Sequence, residues 1–201
     1  MVASAATLPV RDRMLKAAKQ LFAARGYENT STVAIARAAG TSESQLMKHF
    51  GSKEGLLEAI FDQGWEMITE RLHDLDTITA PEEKIQRLLG SMLVALQADP
   101  LLKELMLLEG RRIRKEGHLI MMTAGFREII KTVDRLLGQM KESGHLKPGL
   151  NPQAVRSALV GTFEGLLRDQ VLAARTSYPA AYGTEDIRAI FNTVLGSFIV
   201  C

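Results

Sequence analysis

The chain has 201 residues, of which 46% are hydrophobic and 24% charged, a balance typical of a globular protein rather than a disordered one. No apolar stretch approaches the roughly 18 residues that a membrane helix needs. The opening residues MVASAATLPV lack the basic start and long apolar core of a secretion signal. Cysteine occurs only at Cys201, which excludes an internal disulfide and indicates a reducing cytoplasm. The net charge is +2, yet residues 1–60 hold eight Lys and Arg against five Asp and Glu, a weak indication of a basic head.

The first segment predicts an amphipathic helix. Its apolar stripe is formed by Met14, Ala18, Leu21 and Phe22. These residues recur at the spacing of one helix face, and Gly26 is expected to end the helix in a left-handed conformation.

Two short helices joined by a tight turn are predicted next. Hydroxyl groups at 30–32 can cap the first, and Gly40 ends it. Residues 42–45 read as a capping box for the second, in which the serine accepts from the Gln45 amide and the glutamine reaches back. Small residues at 36, 39 and 40 suit a close crossing, so the pattern predicts a helix-turn-helix.

Helical spacing continues to the end of the chain, and no strand pattern is convincing. The further helices are predicted from Ser52 through Leu72, over 81–97, from Asp99-Pro100 to a break at Gly117, over 118–143, over 152–175, and from Thr184 through Phe198. The predicted fold class is therefore all-α. We expect a flexible leader over 1–10, a three-helix helix-turn-helix head over 11–52, and a larger ligand-binding and dimerisation domain over 53–201.

The second short helix has a polar outward face. It is made of Glu43, Ser44, Gln45, Met47 and Lys48. In a major groove such side chains meet base edges, and lysine and hydroxyl groups meet phosphates. From spacing alone, an ordinary helical hairpin with a solvated face explains the pattern equally well.

The run TSTVAIARAAGTSESQLMKHFGSKEGLL over 30–57 closely resembles the DNA-binding signature of the TetR family of regulators. The matching positions are Leu21-Phe22, Gly26-Tyr27, Thr30-Ser31, Ile35-Ala36, Ala39-Gly40, Ser42, His49-Phe50, Ser52-Lys53-Glu54 and Leu56. Two positions depart from the pattern: Met47 stands where the family has tyrosine, and Thr41 where it has valine. The missing tyrosine removes one hydroxyl that can bind a phosphate.

This resemblance implies a set of DNA contacts. They are Thr30, Ser42, Gln45, Lys48 and His49, with Lys53 on a phosphate, and the outward face adds Ser44. Structural alternatives remain open for several of them, because Thr30 and Ser42 suit helix caps and Lys53 suits a solvated first turn. Glu43 either reads a cytosine amino group or favours a helix N-terminus. Arg11 and Arg13 either reach DNA or belong to a solvated terminus.

The resemblance also implies that helices 152–175 and 184–200 pair across a two-fold axis to form a homodimer. The residues assigned to this interface are Ala158, Gly161, Gly165, Phe191, Val194 and Phe198. Small residues allow close approach of the two backbones. Close packing within one subunit is the alternative. Pairing would let the protein read the two half-sites of a palindromic operator in double-stranded DNA.

A small-molecule effector is implied by the family resemblance. Apolar and polar residues that could line its cavity are Met92, Met106, Glu109, His118, Met122, Phe126, Phe163 and Glu164. Methionine adapts easily to ligands, which favours a lipophilic effector, while ordinary core packing is the alternative for the same residues. No cofactor and no membrane partner are expected.

Besides a DNA-binding repressor, the sequence allows two other functions. The Glu-x-x-His runs Glu70–His73 and Glu142–His145 suggest a di-metal helical enzyme, but the second run crosses Ser143-Gly144, which ends helices. No zinc spacing, phosphate loop or nucleophile elbow occurs, so no catalytic or metal site is expected. A helical interaction module that does not read DNA is the second alternative, and Met47 is the feature that favours it.

Overall fold

The computed structural model describes residues 8–113 and 119–200, with backbone alone for residues 71–74. Over these residues the chain is all-α, as predicted, apart from two isolated β-bridges. The elements are α1 (Val10–Arg25), α2 (Thr32–Ala38), α3 (Glu43–Phe50), α4 (Lys53–Thr69), a 3-10 helix (Glu70–Thr77), α5 (Pro81–Ala98), α6 (Pro100–Leu108), α7 (Ala124–Glu142), α8 (Pro152–Arg175) and α9 (Thr184–Ser197). None of the described helices is both long and apolar enough to span a bilayer.

The described residues divide into two compact units. The first holds the chain up to Gly64 together with the part between Asp99 and Thr123, and the second holds Trp65–Ala98 and the chain from Ala124 onward. The first unit is therefore discontinuous in sequence. It does not coincide with the predicted boundary at residue 52, because α6 packs on α1.

The core of the first unit forms where α1 contacts α2, α3 and α6. The apolar stripe predicted for α1 is largely buried, with Met14, Ala18 and Phe22 in the interior. Lys19 of α1 donates to Asp99, which also caps α6 by accepting from the Leu102 N–H at 3.0 Å. This carboxylate therefore stabilises the start of α6 and its contact with α1.

The second unit is built around α7, which packs against α5 and α8, while α9 packs against α5 and α8. The buried face of α7 is formed by Phe126, Ile129, Thr132, Val133, Leu136, Leu137 and Met140. These positions follow the period of an amphipathic helix. Helix α8 begins as predicted, since the Asn151 side chain accepts from the Gln153 N–H at 2.9 Å and proline follows at the first helical position.

Three predicted helix boundaries were wrong. Helix α4 ends at Thr69 and continues as a 3-10 helix, rather than as an α-helix through residue 72. Helix α6 ends at Leu108, because Gly110 turns the chain where a Cβ would lie 2.4 Å from the Met106 carbonyl oxygen. The predicted break at Gly117 lies outside the described residues. Helix α7 begins only at Ala124, because residue 119 forms an antiparallel bridge with residue 113.

Candidate DNA-binding surface

The turn between α2 and α3 is fixed by backbone geometry. Gly40 has φ +64°, a value that favours glycine, and the Thr41 N–H donates to the Ala36 carbonyl at 3.0 Å. Ala36 and Ala39 are buried, as expected for a close crossing. We also expected the small size of Gly40 to allow this close crossing. That expectation was wrong, because no atom lies within 4 Å of the position that its Cβ would occupy. Its conformation, rather than its size, makes the turn.

Helix α3 presents almost its whole surface outward. Leu46 is its buried residue, and it anchors the helix to the first unit. The exposed positions are Glu43, Ser44, Gln45, Met47, Lys48 and His49, together with Ser42 just before the helix. The structure thus brings five of the seven predicted DNA contacts to the surface of α3 or the position just before it; the other two, Thr30 and Lys53, are described below.

Ser42 caps the N-terminus of α3 and contacts Ser44. The Ser42 hydroxyl accepts from the Gln45 N–H at 3.3 Å and lies 2.9 Å from the Ser44 hydroxyl. This bond is one of the two that the predicted capping box requires. The other, from the Gln45 side chain back to the Ser42 N–H, does not form within the described residues. The Gln45 side chain is consequently exposed and available to another molecule.

Glu43 is held by the preceding helix. The Thr32 hydroxyl donates to its carboxylate, and Thr32 is the first residue of α2. The carboxylate therefore lies near the N-termini of both α2 and α3, where a negative charge is favoured by the helix dipoles. The geometry therefore favours a role for Glu43 in stabilising helix N-termini over contact with a cytosine amino group.

Lys48 and His49 lie in the last turn of α3. Both are exposed, and no hydrogen bond or ion pair holds either side chain within the described part of the chain. The His49 ring lies 6.0 Å from the Phe50 ring, centroid to centroid. With Gln45, these side chains form what we call the α3 polar row: one amide, one ammonium and one imidazole facing solvent.

Thr30 does not belong to this surface, and its predicted DNA contact is wrong. Its side chain is 1% exposed. Its hydroxyl donates to the carbonyl groups of Gly26 at 2.8 Å and Leu21 at 3.3 Å. A buried hydroxyl that is satisfied in this way stabilises the end of α1. The cap of α2 is Ser31 instead, whose side chain accepts from the Ala34 N–H.

Lys53 is also directed inward. Its ammonium donates to the carbonyl groups of Tyr27 at 3.0 Å and Thr30 at 3.2 Å. It lies over the aromatic ring of the same tyrosine. Two of its three N–H donors therefore hold the loop between α1 and α2, so the geometry favours a structural role for Lys53 over the expected phosphate contact.

Arg11, Arg13 and Arg37 lie on α1 and α2, the helices that precede α3. Arg13 was offered as a DNA contact, but its Nε donates to the Ala39 carbonyl at 3.0 Å and fixes the end of α2. Arg11 lies over the Phe50 ring, 5.7 Å from the centroid. Arg37 is exposed in the last turn of α2, and sequence reasoning missed it. Its place opposite the buried Ile35 and Ala36 was the signal that could have identified it.

The predicted dimer residues fall into two groups. On α8, Ala158 and Gly161 are exposed, Gly165 is half-buried, and a Cβ on either glycine would meet no atom within 4 Å. Close packing within the subunit therefore does not explain this track. On α9, Val194 is half-buried, as is Phe198 directly after the helix, but Phe191 is 5% exposed and belongs to the core of its own subunit. Its assignment to the interface was wrong.

The predicted ligand residues are distributed over both units. Met106, Glu109 and Met122 lie in the first; Met92, Phe126, Phe163 and Glu164 lie in the second; His118 lies outside the described residues. Met122 is 41% exposed. The Arg112 guanidinium donates to Glu109 at 3.1 Å, and this hydrogen bond raises the pKa of Arg112. Whether these residues form one site stays a prediction.

Two cavities open in the second unit, and neither is lined by a predicted ligand residue. One has a volume of about 290 Å³ beside the 3-10 helix, with Lys84, Glu128 and Arg135 among its walls. The other has a volume of about 740 Å³ between α5 and α9, with Arg87 and Arg188 among its walls. Charged side chains line both cavities, unlike the apolar pocket expected for a lipophilic ligand.

The predicted carboxylate–histidine pair at the end of α7 does not form a helical metal motif. Glu142 is the last residue of the helix, Gly144 has φ +75°, and the His145 Nδ1 lies 2.8 Å from the Ser143 hydroxyl. The other pair cannot be described, because the side chain of His73 lies outside the described residues. Across the described residues, no group of three or more His, Cys, Asp or Glu side chains is placed to hold a metal ion.

Known proteins resemble this chain, and the family match includes the helices just described. The sequence profile of bacterial regulatory proteins of the TetR family matches residues 14–60, which span α1 to α4 up to Ile60. The chain is 25% identical over 191 residues to the HTH-type transcriptional regulator UidR of Escherichia coli strain K12, covering 93% of both proteins. It is 25% identical over 188 residues to the fatty acid metabolism regulator protein of Bacillus subtilis, covering 91% of this chain and 90% of that one.

The fold is shared with solved structures. The transcriptional regulator FadR of Bacillus subtilis, solved in complex with stearoyl-CoA, superposes with a TM-score of 0.77 at 23% identity, covering 92% of this chain and 95% of that one. The similarity therefore extends through both compact units and is not confined to the helix-turn-helix.

Proposed function

We propose that the chain belongs to the TetR family of bacterial regulatory proteins, whose profile matches residues 14–60, and that it is a homodimeric transcriptional repressor that binds a palindromic operator and is released by a small lipophilic ligand. It acts on chromosomal DNA in the cytoplasm. It binds its effector without converting it, so it is not an enzyme.

The observation that carries this proposal is the α3 polar row. An amide, an ammonium and an imidazole face solvent along a helix of eight residues, which is about 12 Å long. With its side chains an α-helix is about 10–12 Å in diameter, so it fits the major groove of B-DNA, which is about 12 Å wide. Glutamine can pair with adenine through two hydrogen bonds, and lysine can bind guanine or a phosphate. We therefore assign base recognition to Gln45 and phosphate or base contact to Lys48 and His49, with Ser42 and Ser44 at the groove edge.

The exposed small-residue track on α8 supports the dimer. Ala158, Gly161 and Gly165 leave open space on the solvent side of their helix, and Ile190 of α9 is 47% exposed. A second copy of the same track can approach closely across a two-fold axis, which would cover these positions. The dimer would then present two α3 helices to half-sites about 34 Å apart or more.

The ligand class rests on the relatives. A fatty acid metabolism regulator is 25% identical in sequence along most of this chain, and the FadR structure contains stearoyl-CoA. We propose that this chain binds a fatty acyl compound, which agrees with the lipophilic effector expected from its methionine and phenylalanine content.

Helix α4 supplies a route from ligand to DNA. It begins with Lys53, whose ammonium holds the α1–α2 loop, and its last residues belong to the second unit. A ligand that tilts α4 would alter the spacing of the two α3 helices. Release then requires only that the ligand prefers the spacing that does not fit DNA.

The test is selection of bound fragments from the source genome, followed by binding to the recovered sequence against random competitor DNA. We expect a palindrome, and Gln45→Ala should weaken binding to it by five-fold to about a hundred-fold at one base pair per half-site. Gln153→Ala, on exposed α8, is the control and should change nothing. Binding that shows no preference over competitor would support the alternative of an interaction module, which Met47, 42% exposed in place of tyrosine, favours.

The ligand arm uses dodecanoyl-coenzyme A as the probe. We expect it to lower the affinity for the recovered palindrome. Tight binding of the probe without any change in DNA affinity would remove the proposed coupling.

A further inference from the structure

Trp65 is fixed tightly inside the second unit. Its side chain is 3% exposed, and its ring lies 5.2 Å from the Phe126 ring at an interplanar angle of 48°. A Cβ at Gly125 would lie 2.4 Å from the Trp65 Cβ, so the backbone of α7 lies directly against this residue. The tryptophan has little freedom to turn its indole elsewhere.

The indole N–H of Trp65 is buried and finds no hydrogen-bond partner among the described residues. A buried indole N–H ordinarily has a partner, and leaving such a donor unsatisfied destabilises the folded protein. Phenylalanine would fill the space without this cost. The donor therefore indicates an acceptor that the described residues of the chain do not supply.

The surroundings distinguish a ligand oxygen from a buried water. The Phe126 ring and the backbone at Gly125 lie against Trp65, and Ile68, three residues further along α4, is 1% exposed. A buried water needs two to four polar partners (roughly three on average) to be retained, whereas the side chains just named are apolar. A single acceptor on an otherwise apolar molecule meets the one donor with no further requirement.

We propose that the Trp65 indole N–H donates a hydrogen bond to the acyl oxygen of the effector, while Phe126 contacts its apolar chain. This inference rests on the proposed function, which supplies the ligand class. Trp65 thereby fixes where the polar end of the ligand lies on α4, the helix through which release is transmitted.

The first test observes the donor directly. Because the chain contains one tryptophan, ¹⁵N-labelled protein gives a single indole N–H signal. Adding dodecanoyl-coenzyme A should move this proton downfield, as expected for a new hydrogen bond to oxygen. Adding S-dodecyl-coenzyme A, the thioether without the acyl oxygen, should not. Equal shifts with both ligands, or none with a saturating thioester, would overturn the proposal.

The second test measures affinity by calorimetry. The unaltered protein should prefer the thioester to the thioether by about five-fold, the effect of one hydrogen bond of about 1 kcal/mol, and Trp65→Phe should abolish that preference. Tyr182→Phe, which removes a hydroxyl already bonded to the Leu166 carbonyl, should preserve it. A preference unchanged in Trp65→Phe would overturn the inference alone. Failure of both probes to bind the unaltered protein would overturn the fatty acyl ligand class as well.

Discussion

The ammonium group of Lys53 lies 4.2 Å from the centroid of the Tyr27 ring and donates to that residue's carbonyl at 3.0 Å. The first residue of α4 thus closes the loop that leads into α2. A lysine that follows the proposed DNA-binding helix suggests a phosphate contact, but here its charge stabilises the scaffold that holds α3.

The first prediction separates these two roles of lysine. Lys53→Met should lower the free energy of unfolding by about 1–2 kcal/mol, because two carbonyl groups lose a charged donor and the ring loses its cation. It should leave unchanged the slope of log affinity against log salt. Lys48→Met should do the opposite, with unchanged stability and a slope smaller by about one, the effect of one phosphate contact.

Urea unfolding and operator titrations across a salt series measure both quantities. An equal fall in slope for both variants would return Lys53 to the DNA surface.

The second prediction concerns the joint between α3 and α4. A Cβ at Gly55 would lie 2.2 Å from the Phe50 carbonyl oxygen, which is backbone and cannot rotate away. Gly55→Ala should therefore displace the end of α3, lower the free energy of unfolding by about 1–3 kcal/mol, and weaken operator binding. Gly138→Ala in α7 meets open space and should raise stability by up to about 1 kcal/mol.

Thermal and urea unfolding of the two alanine variants give the comparison directly. The opposite signs are the diagnostic result, and a neutral Gly55→Ala would show that α3 and α4 are not held as closely as described.

The third prediction tests the dimer face. Gly161→Leu adds a side chain to open space on α8, so it should not destabilise the isolated subunit. It should block close approach of a second copy, giving monomers in sedimentation experiments and at least ten-fold weaker operator binding. Gly138→Leu is the matched control in open space on another helix. A Gly161→Leu protein that sediments as a dimer would exclude this track from the interface.

The fourth prediction follows the phenol of Tyr182. Burial raises the pKa of this group, and the nearby Asp169 and Tyr178 raise it further; its hydroxyl donates to the Leu166 carbonyl at 2.7 Å. The folded state therefore holds the proton more tightly than the unfolded state, whose pKa is about 10. This stabilisation is fully present below about pH 10 and is lost as the pH rises through the folded pKa.

Comparison of urea unfolding for the unaltered protein and Tyr182→Phe from about pH 8 to pH 11 isolates the contribution. The difference in stability between the two proteins should shrink at the alkaline end. A constant difference would show that the phenol titrates alike in both states.

The sequence by itself determined which segments are helical and the arrangement helix, turn, helix in the head, because both depend on local chemistry. Ser42 and Asn151 cap their helices as predicted, and Gly40 and Gly51 end theirs with positive φ. The buried stripe of α1 and the outward row of α3 follow from the 3.6-residue period alone. The polar outer face of α3 was also predictable from the sequence, and Leu46 is the buried residue of this helix.

Only the tertiary structure decided where long side chains end. Thr30, Lys53 and Arg13 each bind carbonyl groups that are 4 to 26 residues away in sequence, and spacing carries no information on such partners. The same reason explains Phe191, buried by its own subunit, and the unpartnered indole of Trp65. Local periodicity fixes which face a residue occupies; what the end of its side chain meets depends on chain segments that packing alone brings together.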